Sequence, residues 1–334
     1  MTKSWRPVHT LTAFWKPTLP RTGAIGCQRL VAGLNAAPSS CQYPLLLPPS
    51  SSSSLTRYRR TLTQERTREK QRAEKLLEDA QVKLSSVISD IFGASGRDML
   101  AALIAGQRDP HVLADLARKR MRAKMGVLRQ ALTGHFTDHH AFLLGMMLDR
   151  ADALTAQIDQ LTTRIEKAIA PFARQVAQLD EIPGIGVTTA QEILAETGID
   201  MSRFPTPGHL VSWAKFAPKA RQSAGRSKAA ATGKGNPWLG GTIGEAAIGA
   251  ARTSTFLAAR YKRVVKRPDK KRALVAVGNS ILTIVWHLLS DPDAHFTDLG
   301  PDWHDRLAPQ RRKRQLITEL ERLSGQKVTL TNAA

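Results

Sequence analysis

The 334-residue sequence has little cysteine and few aromatic residues, and it has no acidic residue before Glu65. Only Cys27 and Cys41 occur, and neither stands in a CxxC or Cys/His spacing. The sequence therefore predicts neither a disulfide framework nor a structural zinc site, and a reducing, cytoplasmic environment is expected.

Long hydrophobic runs are also scarce. The N-terminus has no apolar run of the kind found in signal peptides. The stretch 273–289 is apolar, but it is shorter than the ~20 residues of a typical membrane span and contains Asn279, Ser280 and His287. It predicts a buried helix, so no membrane partner is expected.

Positive charge, by contrast, is abundant, because 49 Lys and Arg stand against 28 Asp and Glu. Between Met201 and Arg272, sixteen basic residues accompany only two carboxylates, Glu245 and Asp269. Surface helices usually mix both signs, so this exclusion of acids indicates a polyanionic partner. A membrane surface would favour a basic amphipathic helix. Here the charges lie largely in a Gly/Ala/Ser loop, which favours DNA or RNA.

The periodicity predicts a mainly α fold. Residues 1–54 are rich in Pro and Ser and are expected to be poorly ordered. For residues 55–178 the pattern predicts long, coiled-coil-like connecting helices. Within them a heptad seam fits either pairing with the first helix or joining two subunits, and a homo-oligomer is expected. The seam consists of Met147, Ala151, Leu154, Ile158, Leu161, Ile165, Ala168 and Phe172.

A C-terminal helical domain is expected at 179–295, followed by a basic helical tail at 296–334. Near the start of the domain at 179–295 is the stretch Ile182-Pro183-Gly184-Ile185-Gly186. Two glycines in a turn between helices allow a phosphate to approach the backbone, and the next helix can offer it free N–H groups. This pattern resembles the helix-hairpin-helix DNA-binding motif, with Gly184, Gly186 and Thr188 as candidate contacts.

The basic segment that follows, residues 215–236, is called the basic loop below, and it carries a possible nucleophile. Ser223 lies between Arg221, Arg226 and Lys228. Attack of a serine on a phosphodiester requires the charge of the phosphate oxygens to be neutralised, which nearby cations can do. By chemistry alone Ser227 or Thr232 is equally suitable. The further candidate nucleic-acid contacts in this loop are Lys215, Lys219 and Lys234.

Five collinear segments carry a family resemblance: IPGIGVTTAQEILAETG, DMSRFPTPGHLVSWAKFAP, QSAGRSKAAATGKGNPWL, EAAIGAARTSTFLAARYKR and KKRALVAVGNSILTIVWHLL. They closely resemble the C-terminal half of the insertion-sequence one-hundred-and-ten family of transposases, which are related to the Piv invertase. With the connecting helix, the resemblance covers about residues 55 to 330. It implies DNA strand cleavage and transfer by a serine nucleophile that matches Ser223. It also implies a structured guide RNA as partner.

The resemblance further implies an N-terminal domain with four acidic residues that bind a divalent metal such as magnesium. Because nothing before Glu65 is acidic, no carboxylate ligand exists there. The expectation is that this domain has been lost by truncation or that residues 1–54 are read in a shifted frame. The chain is then expected to bind no metal or other cofactor itself. The alternative function is a non-catalytic, nucleic-acid-binding remnant of a transposase.

Overall fold

The protein is described here from a computed structural model, which covers residues 51–217, 221–223, 226–228, 233–266, 270–303, 306 and 309–327. The chain divides into two compact units. We call Ser54–Ala168 the first unit and the described residues from Ile169 onward the second unit. The boundaries expected from the sequence, at residues 54, 178 and 295, stay predictions.

Most of the segment expected to be poorly ordered, 1–54, lies outside the described residues. Its last four residues do not fit that expectation, since Ser51–Ser54 form the first turn of a long helix. Ser53 in this turn is buried.

The first unit consists of helices joined by short turns. Its helices are α1 Ser51–Asp79, α2 Leu84–Val87, α3 Ala94–Ile104, α4 Pro110–Asp115, α5 Met125–Leu132 and α6 Asp138–Ile169, with a 3-10 helix at Lys119–Lys124. Helix α4 starts at a side-chain cap, because Asp109 accepts a hydrogen bond from the backbone N of His111 and Pro110 occupies the first turn. The core of the unit gathers apolar side chains from all six helices.

The two long helices of the first unit contact each other beyond this core. Leu62 of α1 packs with Leu154 and Ile158 of α6. Nearby, the buried carboxylate of Glu69 lies 3.1 Å from Nε of Arg150. Part of the predicted heptad seam is therefore covered by the first helix of the same chain. A coiled-coil geometry and the joining of two subunits stay predictions.

The second unit is a bundle of shorter helices with one small β-ribbon. A 3-10 turn at Ala170–Phe172 precedes α7 Ala173–Asp180 and α8 Val187–Thr197. A second 3-10 turn, Met201–Arg203, leads to α9 Pro207–Trp213, β1 Arg221–Ser223 and β2 Arg226–Lys228. The remaining helices are α10 Pro237–Ala251, α11 Phe256–Val265, α12 Lys270–Ser290 and α13 Pro309–Ser324.

Helix α12 is the central element of the second unit and packs against α7, α9, α10 and α11. By length and composition it is the one helix among the described residues that could cross a membrane, and half of its apolar window is buried inside the protein. Trp286 on this helix donates from Nε1 to the carbonyl of Phe204, at 2.8 Å. These contacts are those of a core helix, as its polar residues predicted.

Candidate nucleic-acid interface

The basic loop between α9 and α10 is fixed where it begins. Lys215 has a φ of +63°, a left-handed conformation that turns the chain away from the end of α9. The carbonyl of Phe216 accepts a hydrogen bond from Nδ2 of Asn279, at 3.2 Å. A Cβ at Gly278 would lie 2.5 Å from Cε1 of Phe216. The Phe216 ring therefore rests directly on the backbone of α12.

The loop is fixed again where it ends. Oδ1 of Asn236 accepts hydrogen bonds from the backbone N of Trp238 and of Leu239, and so caps α10. Nδ2 of Asn236 donates to Oε2 of the buried Glu196 on α8. One asparagine therefore starts α10 and ties the end of the loop to α8.

The two ends of the loop also meet each other. A Cβ at Gly235 would lie 2.9 Å from Cγ of Lys215 and 3.0 Å from the carbonyl oxygen of Ala214. Glycine permits this close approach. Of the predicted contacts, Lys215 is half-buried at this closure, whereas Lys234 beside it is exposed. Lys219 and Thr232 lie outside the described residues.

Between these ends the chain forms an antiparallel β-ribbon in which Arg221 pairs with Lys228, Gln222 with Ser227, and Ser223 with Arg226. Directly paired residues share a face of a ribbon, and so do residues two apart on one strand. Arg221, Ser223, Arg226 and Lys228 therefore occupy one face. Gln222 and Ser227 occupy the other.

The register thus brings together the four ribbon residues that the sequence singled out. It also separates the two serines that chemistry alone left equivalent, because Ser227 lies on the face without basic residues. The sequence predicted a loop in this segment, and the ribbon was not expected. The two strands are only three residues long each, too short for alternation to reveal them.

The turn between α7 and α8 contains the two glycines of the predicted hairpin, and they have different surroundings. Gly184 has a φ of +89°. A Cβ there would lie 2.3 Å from the carbonyl oxygen of Ala246 and 2.6 Å from the N of Ala250, both on α10. Around Gly186 a Cβ would meet nothing within 4 Å. Glycine is required at 184 by packing against α10, while Gly186 leaves open space beside the backbone.

The N-terminus of α8 begins at this open position. Gly186 is its N-cap, and no side chain caps the helix. The first N–H groups of a helix have no acceptor within the helix. Val187 and Thr188 are exposed, so these donors face solvent and could hold a phosphate. The turn and Glu196, which holds the loop, lie at opposite ends of α8, about 15 Å apart along its axis.

The carboxylates of α8 are engaged with α10 and do not oppose the basic loop as free charges. Oε2 of Glu192 accepts from Oγ1 of Thr242 at 2.6 Å, and Glu196 accepts from Asn236. Sequence analysis did not single out Asn236, although an asparagine directly before Pro237 is a recognisable helix start. Glu196, Asn236 and Asn279 position the loop.

Basic residues continue beyond the loop. Lys262 and Arg263 on α11 and Lys266 directly after it are exposed. Arg260 is different, since its Nε donates to the carbonyl of Ala276 at 3.3 Å. Burial, and secondarily the charge of Arg263, lower the pKa of Arg260. Arg260 therefore serves the packing of α11 on α12, whereas Lys262, Arg263 and Lys266 are exposed to solvent.

A divalent metal of the kind the resemblance implies does not find its ligands in the part of the chain that the structure describes. No three His, Cys, Asp or Glu side chains come together there. Hard cations need several oxygen ligands, so the described residues do not fit such a site.

Comparison with protein families gives a match within the second unit. Residues 176–262 match the sequence model of the family described as Transposase IS116/IS110/IS902 family. The matched segment runs from Val176 in α7 to Lys262 in α11 and includes the glycine turn, the ribbon and α10. Among curated proteins none matches the chain. The resemblance stated from the sequence motifs is thus confirmed over this segment.

Proposed function

We propose that this chain is an insertion-sequence transposase that binds DNA and exchanges its strands through a serine nucleophile, Ser223. The match to a transposase family supports the general activity. The observation that carries the choice of residues is the register of the ribbon. It places Ser223 on the same face as Arg221, Arg226 and Lys228.

In the proposed step, Oγ of Ser223 attacks a DNA phosphorus. A new Oγ–P bond forms while the bond from phosphorus to one deoxyribose oxygen breaks. The serine proton is given up and the departing deoxyribose oxygen gains one, so a free hydroxyl remains on the DNA. The cations that share the face with Ser223 neutralise the non-bridging phosphate oxygens, whose charge increases in the transition state. Reversal of the step on a second DNA end completes strand exchange.

The anchoring of the loop suits this role. A nucleophile is effective only when it is held close to the position of attack. Asn279 fixes the start of the loop on α12, and Asn236 fixes its end on α8. The open N-terminus of α8 at Gly186 and Thr188 binds a backbone phosphate at the other end of the same helix. Lys215, Lys219 and Lys234 add charge along the loop.

The partners of the proposed activity follow from the family resemblance. They are DNA and a structured guide RNA, and the protein acts as a homo-oligomer in the cytoplasm without binding a membrane. No step is assigned to magnesium, because the described residues do not supply its ligands.

The second candidate function is a nucleic-acid-binding remnant that cuts nothing. The observation that favours it is the lack, among the described residues, of the carboxylate cluster that the resemblance implies. In this case the basic loop and the α8 N-terminus retain binding, and Ser223 has no chemical role.

One experiment distinguishes these functions. The full chain is incubated with labelled duplexes from the two ends of its own element, with magnesium and with RNA transcribed from those ends. Denaturing electrophoresis then detects a covalent protein–DNA adduct. The adduct is expected with the wild type and with Ser227→Ala, and it is expected to disappear with Ser223→Ala.

Ser227→Ala is a matched control, because it removes the same atom from the opposite face of the same ribbon. An adduct that survives Ser223→Ala but not Ser227→Ala would contradict the proposed assignment. Salt-sensitive binding without an adduct for any variant would support the remnant.

A further inference from the structure

A second basic surface lies on the first unit, in a segment that neither the family match nor the resemblance assigns to nucleic acid. From Leu116 to Thr137 the chain carries six Lys or Arg and no carboxylate. The nearest acidic residues in sequence are Asp115 and Asp138. An acid-free basic segment of this kind recurs here outside the basic loop, which is unusual for a solvated surface.

The basic residues of this segment cluster on the 3-10 helix Lys119–Lys124. Residues three apart are eclipsed in a 3-10 helix, so each such pair shares a side. Met121 and Lys124 form the inner side. Met121 packs against the core, and Nζ of Lys124 donates to the carbonyl of Val87 at 3.1 Å. Lys119, Arg120 and Arg122 are on the outer sides and are exposed.

These three outer cations differ in their ion pairing from Arg118, the basic residue that directly precedes them. Nη2 of Arg118 lies 2.5 Å from Oδ2 of Asp98, so this arginine is neutralised by the protein. Within the part of the chain that the structure describes, Lys119, Arg120 and Arg122 have no such ion pair. Lys119 also has a backbone φ of +48°, which is uncommon for residues other than glycine, asparagine or aspartate.

The chemistry around the three cations favours a double helix over a single strand. Proteins that hold single-stranded nucleic acid usually stack its bases on exposed aromatic side chains. The only aromatic residue of the segment besides His135 is Phe136, which is buried. Val127 is exposed as well, but the exposed cations are the groups that bind the phosphate backbone of a duplex, and they do so without reading bases.

We propose that Lys119, Arg120 and Arg122 form a second duplex-DNA-binding surface, on the first unit, that is separate from the basic loop of the second unit. Each cation neutralises a backbone phosphate. The surface adds sequence-independent affinity and holds a length of duplex outside the reacting site.

The test removes the three charges in the full chain. The variant is Lys119→Asn/Arg120→Gln/Arg122→Gln, with asparagine at 119 because it tolerates a positive φ. Binding to a labelled duplex is measured over a range of salt concentrations. Loss of three phosphate contacts is expected to lower the slope of log affinity against log salt by about 2.7 and to weaken binding roughly a hundredfold near 0.15 M salt.

The matched control removes three exposed cations of the same unit that lie among acidic residues, as Lys75→Gln/Arg164→Gln/Lys167→Gln. It has the same net charge as the test variant, so a mere loss of total charge affects both equally. Equal losses in the two variants would overturn the proposal. A greater loss on single-stranded DNA, on duplex RNA or on anionic vesicles than on duplex DNA would overturn the assignment to duplex DNA.

The outcome is independent of the proposed catalytic role. Arg221→Gln/Arg226→Gln/Lys228→Gln reports on the basic loop, and combining it with the test variant is expected to reduce the salt slope additively. If the variant at residues 119, 120 and 122 leaves the slope of log affinity against log salt unchanged, the second surface is refuted. The variant at residues 221, 226 and 228 then still tests the binding of DNA by the basic loop. Far-ultraviolet circular dichroism confirms that each variant remains folded.

Discussion

Replacing Gly184 with alanine tests whether the turn between α7 and α8 is held against α10. The new Cβ would lie 2.3 Å from the carbonyl oxygen of Ala246 and 2.6 Å from the backbone N of Ala250. Both neighbours are backbone atoms of one helix, so neither can move aside by a change of rotamer. The position also has a φ of +89°, which disfavours any side chain.

The expected cost follows from two contributions. An L-residue in the left-handed region costs about 1–2 kcal/mol. Forcing an extra carbon into a packed contact costs about 1–3 kcal/mol more. Together they predict a loss of roughly 3 kcal/mol in the free energy of unfolding of the second unit. For a unit of roughly 160 residues, each kcal/mol lowers the Tm by about 2–4 °C, so a decrease of about 6–12 °C is expected.

The assay is thermal unfolding followed by circular dichroism, with Gly186→Ala as the control. At Gly186 a Cβ meets nothing within 4 Å and φ is −112°. Alanine is a poorer N-cap than glycine, but it also restricts the unfolded chain, so these effects of under about 1 kcal/mol nearly cancel. If Gly184→Ala unfolds at the wild-type temperature, the packing of this turn on α10 is wrong. Binding defects in Gly186→Ala without a stability change would support its role at the phosphate.

Two further predictions concern the loop anchor and pH. Asn236→Ala removes the cap of α10 and the donor to Glu196, so we expect a loss of about 1–2 kcal/mol in urea unfolding and weaker DNA binding. Asn236→Asp keeps the cap but places a carboxylate against Glu196, so it is also expected to lower the free energy of unfolding. A loss of stability as small as that of a neutral surface substitution would contradict the contact between residues 236 and 196. Burial lowers the pKa of His287 below its ordinary value of 6.5. The unfolded chain therefore takes up the proton first, and stability is lost as the pH falls through and below 6.5. Between about pH 7.5 and about pH 5.5 the Tm of the wild type should fall more than that of His287→Gln, and parallel decreases would argue against a half-buried, neutral imidazole.

Local signals in the sequence indicate some helix starts. Asp109 followed by Pro110 is a typical helix start, and Asp109 does cap the backbone N of His111. Thr206, a residue type favoured at N-caps, is the N-cap of α9, but its hydroxyl bonds to Nδ1 of His209 rather than to a backbone N–H. A capping residue is thus predictable by position, whereas the partner of its side chain depends on which neighbour comes within reach.

Contacts between distant segments were not predictable in this way. From the sequence, Gly184 and Gly186 are equivalent members of one turn. They differ in the structure because Ala246 and Ala250, some sixty residues later, approach only the first of them. Likewise, nothing adjacent to Asn236 in the sequence indicates that Glu196 is its partner. The sequence therefore predicted the chemistry of the candidate interface, but not the anchors that hold the loop.

The identity of the proposed nucleophile depends on how two short, neighbouring strands pair. The side-chain period of a strand is two, so shifting the ribbon pairing by one residue moves every residue to the opposite face. In the observed register Ser223 pairs with Arg226, and Ser227 pairs with Gln222. The sequence around Ser223 and the sequence around Ser227 are both rich in basic residues, and only the pairing of β1 with β2 distinguishes the two serines, since Ser223 is on the face of the ribbon that carries the three basic residues. A reactive serine at 227 would thus require the ribbon to be paired differently when DNA is bound.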